Sequence, residues 1–295
     1  MHDEENQGIE SLNKVPNVMP NHSVVRQRSW LFTPGTQPDR LLSAAKSHTD
    51  ISIFDLEDSV SPADKRTARN NLRALLNAPA DESFPAFAVR INSTATRFGL
   101  DDLATLLDSS LMPQFILLPK IESEEQVVQI AALLAEANRS AALVPLIESA
   151  RGLSAVSAIA QAAPSVTALM FGAADFASDV RAQPEALALQ VARVRIAAAC
   201  AQAGISAIDA PCFAIHDVDL LKADLTFAVT NGFRGKAAIH PSHIASITRA
   251  FTPSGDRIAW AKRVLEANDQ GAAVVDGRMV DEAIAREARE ILAAA

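Results

Sequence analysis

Leu143-Val144-Pro145-Leu146-Ile147-Glu148 and Ala168-Leu169-Met170-Phe171-Gly172-Ala173-Ala174-Asp175 are two short apolar runs, each followed by a carboxylate. Runs of this length, rich in Ile, Val, Leu and Phe, read as strands buried on both faces, as in a parallel sheet. Working outward, the same pattern recurs at Trp30-Leu31-Phe32, Ile51-Ser52-Ile53-Phe54, Ala86-Phe87-Ala88-Val89, Phe115-Ile116-Leu117-Leu118, Ile205-Ser206-Ala207-Ile208 and Ala237-Ala238-Ile239. Between them, segments such as Pro62 to Leu76, Glu122 to Ala137 and Glu185 to Ala203 are long enough for a helix that crosses back to start the next parallel strand. Eight such units predict an α/β fold, a (β/α)8 TIM barrel with a C-terminal helical extension. A doubly wound open sheet is the alternative, but no G-x-G-x-x-G follows any of the runs. The expected division is a flexible tail over 1–25, the barrel over 26–250, and a helical arm or lid over 251–295.

Composition narrows the class. The 295 residues are 49% hydrophobic and 21% charged, which excludes a disordered chain and supplies enough apolar material for a large core. A net charge of −8 disfavours generic nucleic-acid binding, although a local basic pocket can still hold an anion. Cys200 and Cys212 lack both metal-type spacing and the density of a disulfide scaffold, so a reducing compartment fits. The first residues carry no apolar signal-peptide core, and apolar runs such as Ala141 to Ile147 are too short to span a bilayer. A soluble cytoplasmic protein without a membrane partner is expected.

In a TIM barrel, catalytic groups gather at the C-terminal ends of the strands. The residues just past the runs are Asp55, Glu57 and Asp58, then Arg90, Lys120, Glu148, Asp175, Asp209 and His240. One polar strand end is ordinary; a succession of ionisable ends converging on one mouth is not. Glu148 and Asp175 lie one unit apart, and two hard oxygen donors without nearby Cys or clustered His suit Mg²⁺ or Mn²⁺, with waters and substrate oxygens completing the shell. Arg90 has the planar guanidinium that holds a carboxylate or offsets charge on an enolate oxygen; its bland alternative is a salt bridge to a neighbouring acid. Asp55, Glu57 and Asp58 need basic partners such as Lys120, or serve to hold the metal's waters; a purely structural salt-bridge network is the other reading. The segment Gly232 to Ala237 lacks the spacing of a P-loop, and His240-Pro241-Ser242-His243 is assigned no catalytic role.

Six stretches in order, Arg28 to Gly35, Phe54 to Val60, Val89 to Asn92, Leu118 to Ser123, Leu146 to Gly152 and Phe171 to Phe176, resemble the citrate lyase β-subunit-like family of the HpcH/HpaI aldolase superfamily. The resemblance continues through Gly235-Lys236 and Ile239-His240-Pro241. It implies a Mg²⁺-dependent TIM-barrel enzyme that makes or breaks a carbon–carbon bond between an acyl thioester and an α-keto acid. On that resemblance Glu148 and Asp175 bind the metal, Arg90 contacts substrate, and the amides of Gly172, Ala173, Ala174 and Asp175 add donors to a substrate carboxylate. Arg40 and Lys46 on the first helix are candidate contacts for CoA phosphates. Asp276-Gly277-Arg278-Met279-Val280-Asp281 resembles the C-terminal stretch of the CoA-ester lyases, making Asp281 the candidate acid/base, delivered by folding back or from a neighbouring subunit. The resemblance also implies a homotrimer or a multiple of three. It favours a malyl-CoA or citramalyl-CoA type substrate over three alternatives: a citryl carrier-protein thioester, a class II pyruvate aldolase, and a non-catalytic acyl-CoA-binding regulator.

Overall fold

The computed structural model describes residues 27–78, 87–268 and 273–295, so the tail expected over 1–25 lies outside the described residues. Eight strands close a barrel in sequence order: β1 (Ser29–Pro34), β2 (Ile51–Asp55), β3 (Phe87–Arg90), β4 (Phe115–Leu118), β5 (Ala142–Ile147), β6 (Ala168–Phe171), β7 (Ser206–Asp209) and β8 (Gly235–Ala238). Every neighbouring pair is parallel, and β8 closes on β1 through the registers Ser29 to Lys236 and Leu31 to Ala238. All eight apolar runs thus become strands.

Strand periodicity sorts the side chains into two layers. Trp30, Ile51, Ile53, Ala88, Phe115, Leu117, Val144, Leu146, Ala168, Met170, Ile208 and Ala237 fill the barrel interior, where Trp30 and Phe115 meet edge to face with centroids 5.0 Å apart. The alternate residues, among them Phe54, Val89, Ile116, Ile147, Leu169 and Phe171, pack against the surrounding helices. Three of the helices that follow strands begin where the sequence offers a cap. Thr96 accepts from the Gly99 amide, Ser123 and Gln126 form a capping box, and Ser149 accepts from the Gly152 amide.

Beyond the barrel the chain forms helix Gly255–Asn268, strands β9 (Ala273–Val275) and β10 (Arg278–Val280), and helix Glu282–Ala293. The extension is therefore not purely helical. Asp276 and Gly277 both have positive φ, 51° and 78°, which is the two-residue turn that matches the twist of an antiparallel hairpin. The two helices pack chiefly on each other and on the hairpin, around a separate apolar cluster of Ala261, Val264, Val280, Ala288 and Ile291. The last helix is tethered at its C-terminal end. Arg28, just before β1, donates to the Ala294 carbonyl at 2.7 Å, and Arg234, just before β8, pairs with Glu290. Both anchors lie on the rim where strands begin, opposite the mouth. Among the described residues no helix is long and apolar enough to cross a membrane.

Candidate active site

Asp55, Arg90 and Glu148 each stand two residues past an interior side chain, respectively Ile53, Ala88 and Leu146, so the pleat turns all three into the mouth. Arg90 is the hub. Its Nε and Nη2 donate to the two Asp55 carboxylate oxygens at 2.7 and 2.8 Å, while Nη1 lies 3.1 Å from Glu57 and 3.5 Å from Asp58. The guanidinium carbon also sits 4.7 Å from the Phe32 ring centroid. Burial works against the Asp55 charge, but Arg90 and the amides of Glu57 and Ser59 outweigh it and hold Asp55 below its ordinary value. The salt bridge raised as the bland alternative for Arg90 is therefore present, and it fixes the guanidinium within the mouth.

The loop carrying the acids is clamped from behind. Lys65 Nζ donates to the Leu56 and Glu57 carbonyls, both at 2.7 Å, and Asn92 donates to the Leu56 carbonyl at 2.9 Å. Asp102 holds Asn92 through its backbone and side-chain amides. Sequence reasoning missed Lys65 and Asp102, which lie on flanking helices; a lysine and an aspartate sitting at buried positions of amphipathic helices were the available signal.

The Asp175 side chain is open to the mouth at 44%, whereas Glu148 is only 4% exposed. Its carboxylate fills a space left by Gly172, where a β-carbon would come within 2.5 Å of Glu148 Oε2. The Lys120 amide donates to Glu148 Oε1 at 2.5 Å. Burial first, and then the charges of Glu57 and Asp175, push the Glu148 carboxyl up to about 8. Glu57 is likewise raised by burial, and its Oε2 has no hydrogen-bond partner although Arg90 is close in charge contact. Asp175, in the first turn of helix Ala173–Asp179, lies 3.9 Å from Lys120 Nζ, which also donates to Glu57 at 2.7 Å.

The remaining expectations separate. The Gly172 amide is spent on the Ile147 carbonyl, so it is not a donor to substrate; those of Ala173, Ala174 and Asp175 form the first helical turn, without partners inside the helix. Arg40 lies in the first turn of helix Pro38–Ala45, on the mouth side. Lys46 caps the other end, roughly 9 Å further along the axis, and is not brought to the mouth. Asp209 is corrected: it neighbours interior Ile208, faces the helices, and is fully buried in ion pairs with Arg193 and Lys236. His240 accepts from the Ser242 amide and caps a short 3-10 turn. Asp281 caps helix Glu282–Ala293 by accepting from the Ile284 amide at 3.0 Å, at the end of that helix away from its tether.

Asp55, Glu57, Asp58, Glu148 and Asp175 outnumber Arg90 and Lys120 in the mouth, with Lys65 behind the loop. Among the described residues no three His, Cys, Asp or Glu are grouped as a complete metal cage. A buried, crowded Glu148 in a glycine-lined recess beside an open Asp175 fits a hard divalent cation that takes its other ligands from water and substrate.

The chain's relatives place this TIM barrel among carbon–carbon lyases. It belongs to the HpcH/HpaI aldolase/citrate lyase family, whose model matches residues 28–241. A citrate lyase subunit beta-like protein of Mycobacterium tuberculosis is 34% identical over 89% of this chain and 93% of its own. An L-malyl-CoA/beta-methylmalyl-CoA lyase of Cereibacter sphaeroides is 32% identical over 95% of this chain and 96% of its own. Among solved structures, CitE from Mycobacterium tuberculosis in complex with magnesium, acetoacetate and coenzyme A superposes with a TM-score of 0.75 at 32% identity, over 91% of this chain and 98% of that one. RipC from Yersinia pestis gives 0.70 at 41% identity, over 79% and 99%.

Proposed function

We propose that the chain is a Mg²⁺-dependent lyase that cleaves, or in reverse forms, a β-hydroxyacyl-CoA of malyl-CoA or citramalyl-CoA type, yielding an acyl-CoA and an α-keto acid. The observation that carries this reading is the recessed Glu148 beside a half-exposed Asp175 and the clamped Arg90. Glu148 and Asp175 would hold the cation; Mn²⁺ has the same preference for oxygen donors. Held there, Mg²⁺ would supply Lewis acidity to the substrate's oxygen atoms.

The chain's own groups account for the rest. Ala173, Ala174 and Asp175 present first-turn amides to the substrate carboxylate. As the hydroxyl proton passes to solvent water, the bond between the hydroxyl-bearing carbon and the thioester's α-carbon breaks, the keto acid's carbonyl forms, and the electron pair of the broken bond stays on the thioester fragment as an enolate. Arg90, immobilised by Asp55 and Phe32, offsets charge on the enolate oxygen without reorganising. Asp281 in its acid form protonates the enolate carbon, and as a carboxylate removes that proton in condensation. Because its helix is tethered to the opposite rim, Asp281 serves the mouth of a neighbouring copy. The hairpin beside it exposes Val274 and Met279, each 69% accessible, an apolar tip suited to seating there. A homotrimer or a multiple of three fits this exchange, in a cytoplasmic setting.

Thiol release from malyl-CoA, citramalyl-CoA and β-methylmalyl-CoA, with Mg²⁺ and after chelation, tests the proposal. Mg²⁺-dependent cleavage of at least one supports it; inertness toward all three, with turnover of a citryl carrier-protein thioester or a CoA-free aldol, overturns the CoA-ester reading. For Asp281, inactive Asp281→Asn and inactive Glu148→Ala chains reassembled together should recover part of the activity. An inactive mixture with verified subunit exchange would contradict delivery between copies.

A further inference from the structure

Lys120 follows Pro119 at the end of β4 and adopts φ 55°, a left-handed conformation that costs a lysine energy unless its surroundings enforce it. In that conformation one residue touches both proposed cation ligands. Its amide holds Glu148 Oε1 at 2.5 Å, and its ammonium lies 3.9 Å from Asp175 Oδ2 while bonded to Glu57 at 2.7 Å and 3.9 Å from Asp58. The amide contact orients a carboxylate toward the mouth. The ammonium does something different, because a fixed positive charge this close to Asp175 opposes any second cation held by the same oxygens.

Resting on the reading of Glu148 and Asp175 as the cation pair, we propose that Lys120 is a built-in counter-cation that sets how weakly the pair holds Mg²⁺. Its backbone positions Glu148, and its ammonium competes with the metal for Asp175. The side chain is 47% exposed, so it has room to withdraw from Asp175 while keeping Glu57. A moderate affinity of this kind lets the metal bind and leave with substrate rather than remain locked on the acids.

Calorimetric titration of Mg²⁺ into chelator-treated wild type, Lys120→Met, Lys120→Gly and Lys120→Arg at one pH tests this. Lys120→Gly retains the amide and accommodates positive φ without strain, so it separates the lost charge from a lost backbone clamp. Lys120→Met and Lys120→Gly should bind Mg²⁺ at least about fivefold more tightly than wild type, with the difference shrinking as KCl is raised and Lys120→Arg staying near wild type. Unchanged or weaker binding in both neutral variants, beside measurable binding in wild type, would overturn the role of Lys120 alone. Absence of binding in wild type and all variants would overturn the metal reading and this inference together.

Discussion

Two ion clusters of similar make-up sit around this barrel. Between sheet and helices, Arg193 and Lys236 face Asp209 and Asp224 through contacts of 2.5 to 2.9 Å, two cations against two acids, with Lys236 and Asp209 fully buried. In the mouth, five carboxylates face Arg90 and Lys120, with Lys65 behind. The first cluster is neutral and closed, so its chemistry is spent on holding β7 and β8 to their helices. The second is left acidic and open on one side: burial first, and then the charges of Glu57 and Asp175, push Glu148 up to about 8, and this crowding of carboxylates is the electrostatic condition for capturing a divalent cation.

The sharpest way to break this contrast is substitution in each cluster. Glu148→Ala or Asp175→Ala should lower Mg²⁺-dependent cleavage by on the order of a thousandfold or more, with circular dichroism unchanged, since the metal's Lewis acidity is worth several kcal/mol. Substantial activity in either variant removes that residue from the metal site. Asp209→Ala should do the reverse, costing about 3–5 kcal/mol of stability by stranding Lys236 and Arg193, while activity per folded molecule stays near wild type. Denaturant unfolding beside specific activity separates the two outcomes.

Arg90→Lys keeps the charge but loses the two-pronged grip on Asp55, so turnover should fall at least about tenfold, roughly 1.4 kcal/mol in the transition state. An unaltered kcat would reduce Arg90 to a structural ion pair. The smallest effect is in pH. Because Glu148 titrates higher in the folded chain than unfolded, its contribution without Mg²⁺ favours folding at low pH and is lost as pH rises from about 4.5 toward about 8. Glu148→Gln should therefore raise Tm in chelator at pH 8 and do little at pH 4.5. Added Mg²⁺ should in turn stabilise wild type more at pH 8 than at pH 6. Equal shifts at both values would contradict a proton-linked site.

The barrel was legible in the sequence because each strand is a short apolar run buried on both faces, a signal that survives without any partner in view. Glu148, Asp175 and Arg90 were legible as strand ends. What strand-end reading lacks is parity: Asp209 follows Ile208 and so points away from the interior, a distinction needing the register of which residues fill the barrel. The recess that receives Glu148 depends on Gly172, just past the next strand, a contact no local pattern encodes. Asp276-Gly277 is a hairpin-turn dipeptide, but it lies inside a stretch whose surroundings read as helical. The remote clamp by Lys65 and Asp102 depends on helices crossing behind the loop, a matter of packing rather than motif.

The proposed cation site is the acidic surplus of the mouth, and not the balanced cluster. Calorimetric titration of Mg²⁺ into chelator-treated wild type and into the Glu148→Gln, Asp175→Asn double variant tests it most directly. One cation per chain in wild type and none in the folded double variant is the expected result; the same stoichiometry in both would contradict the claim.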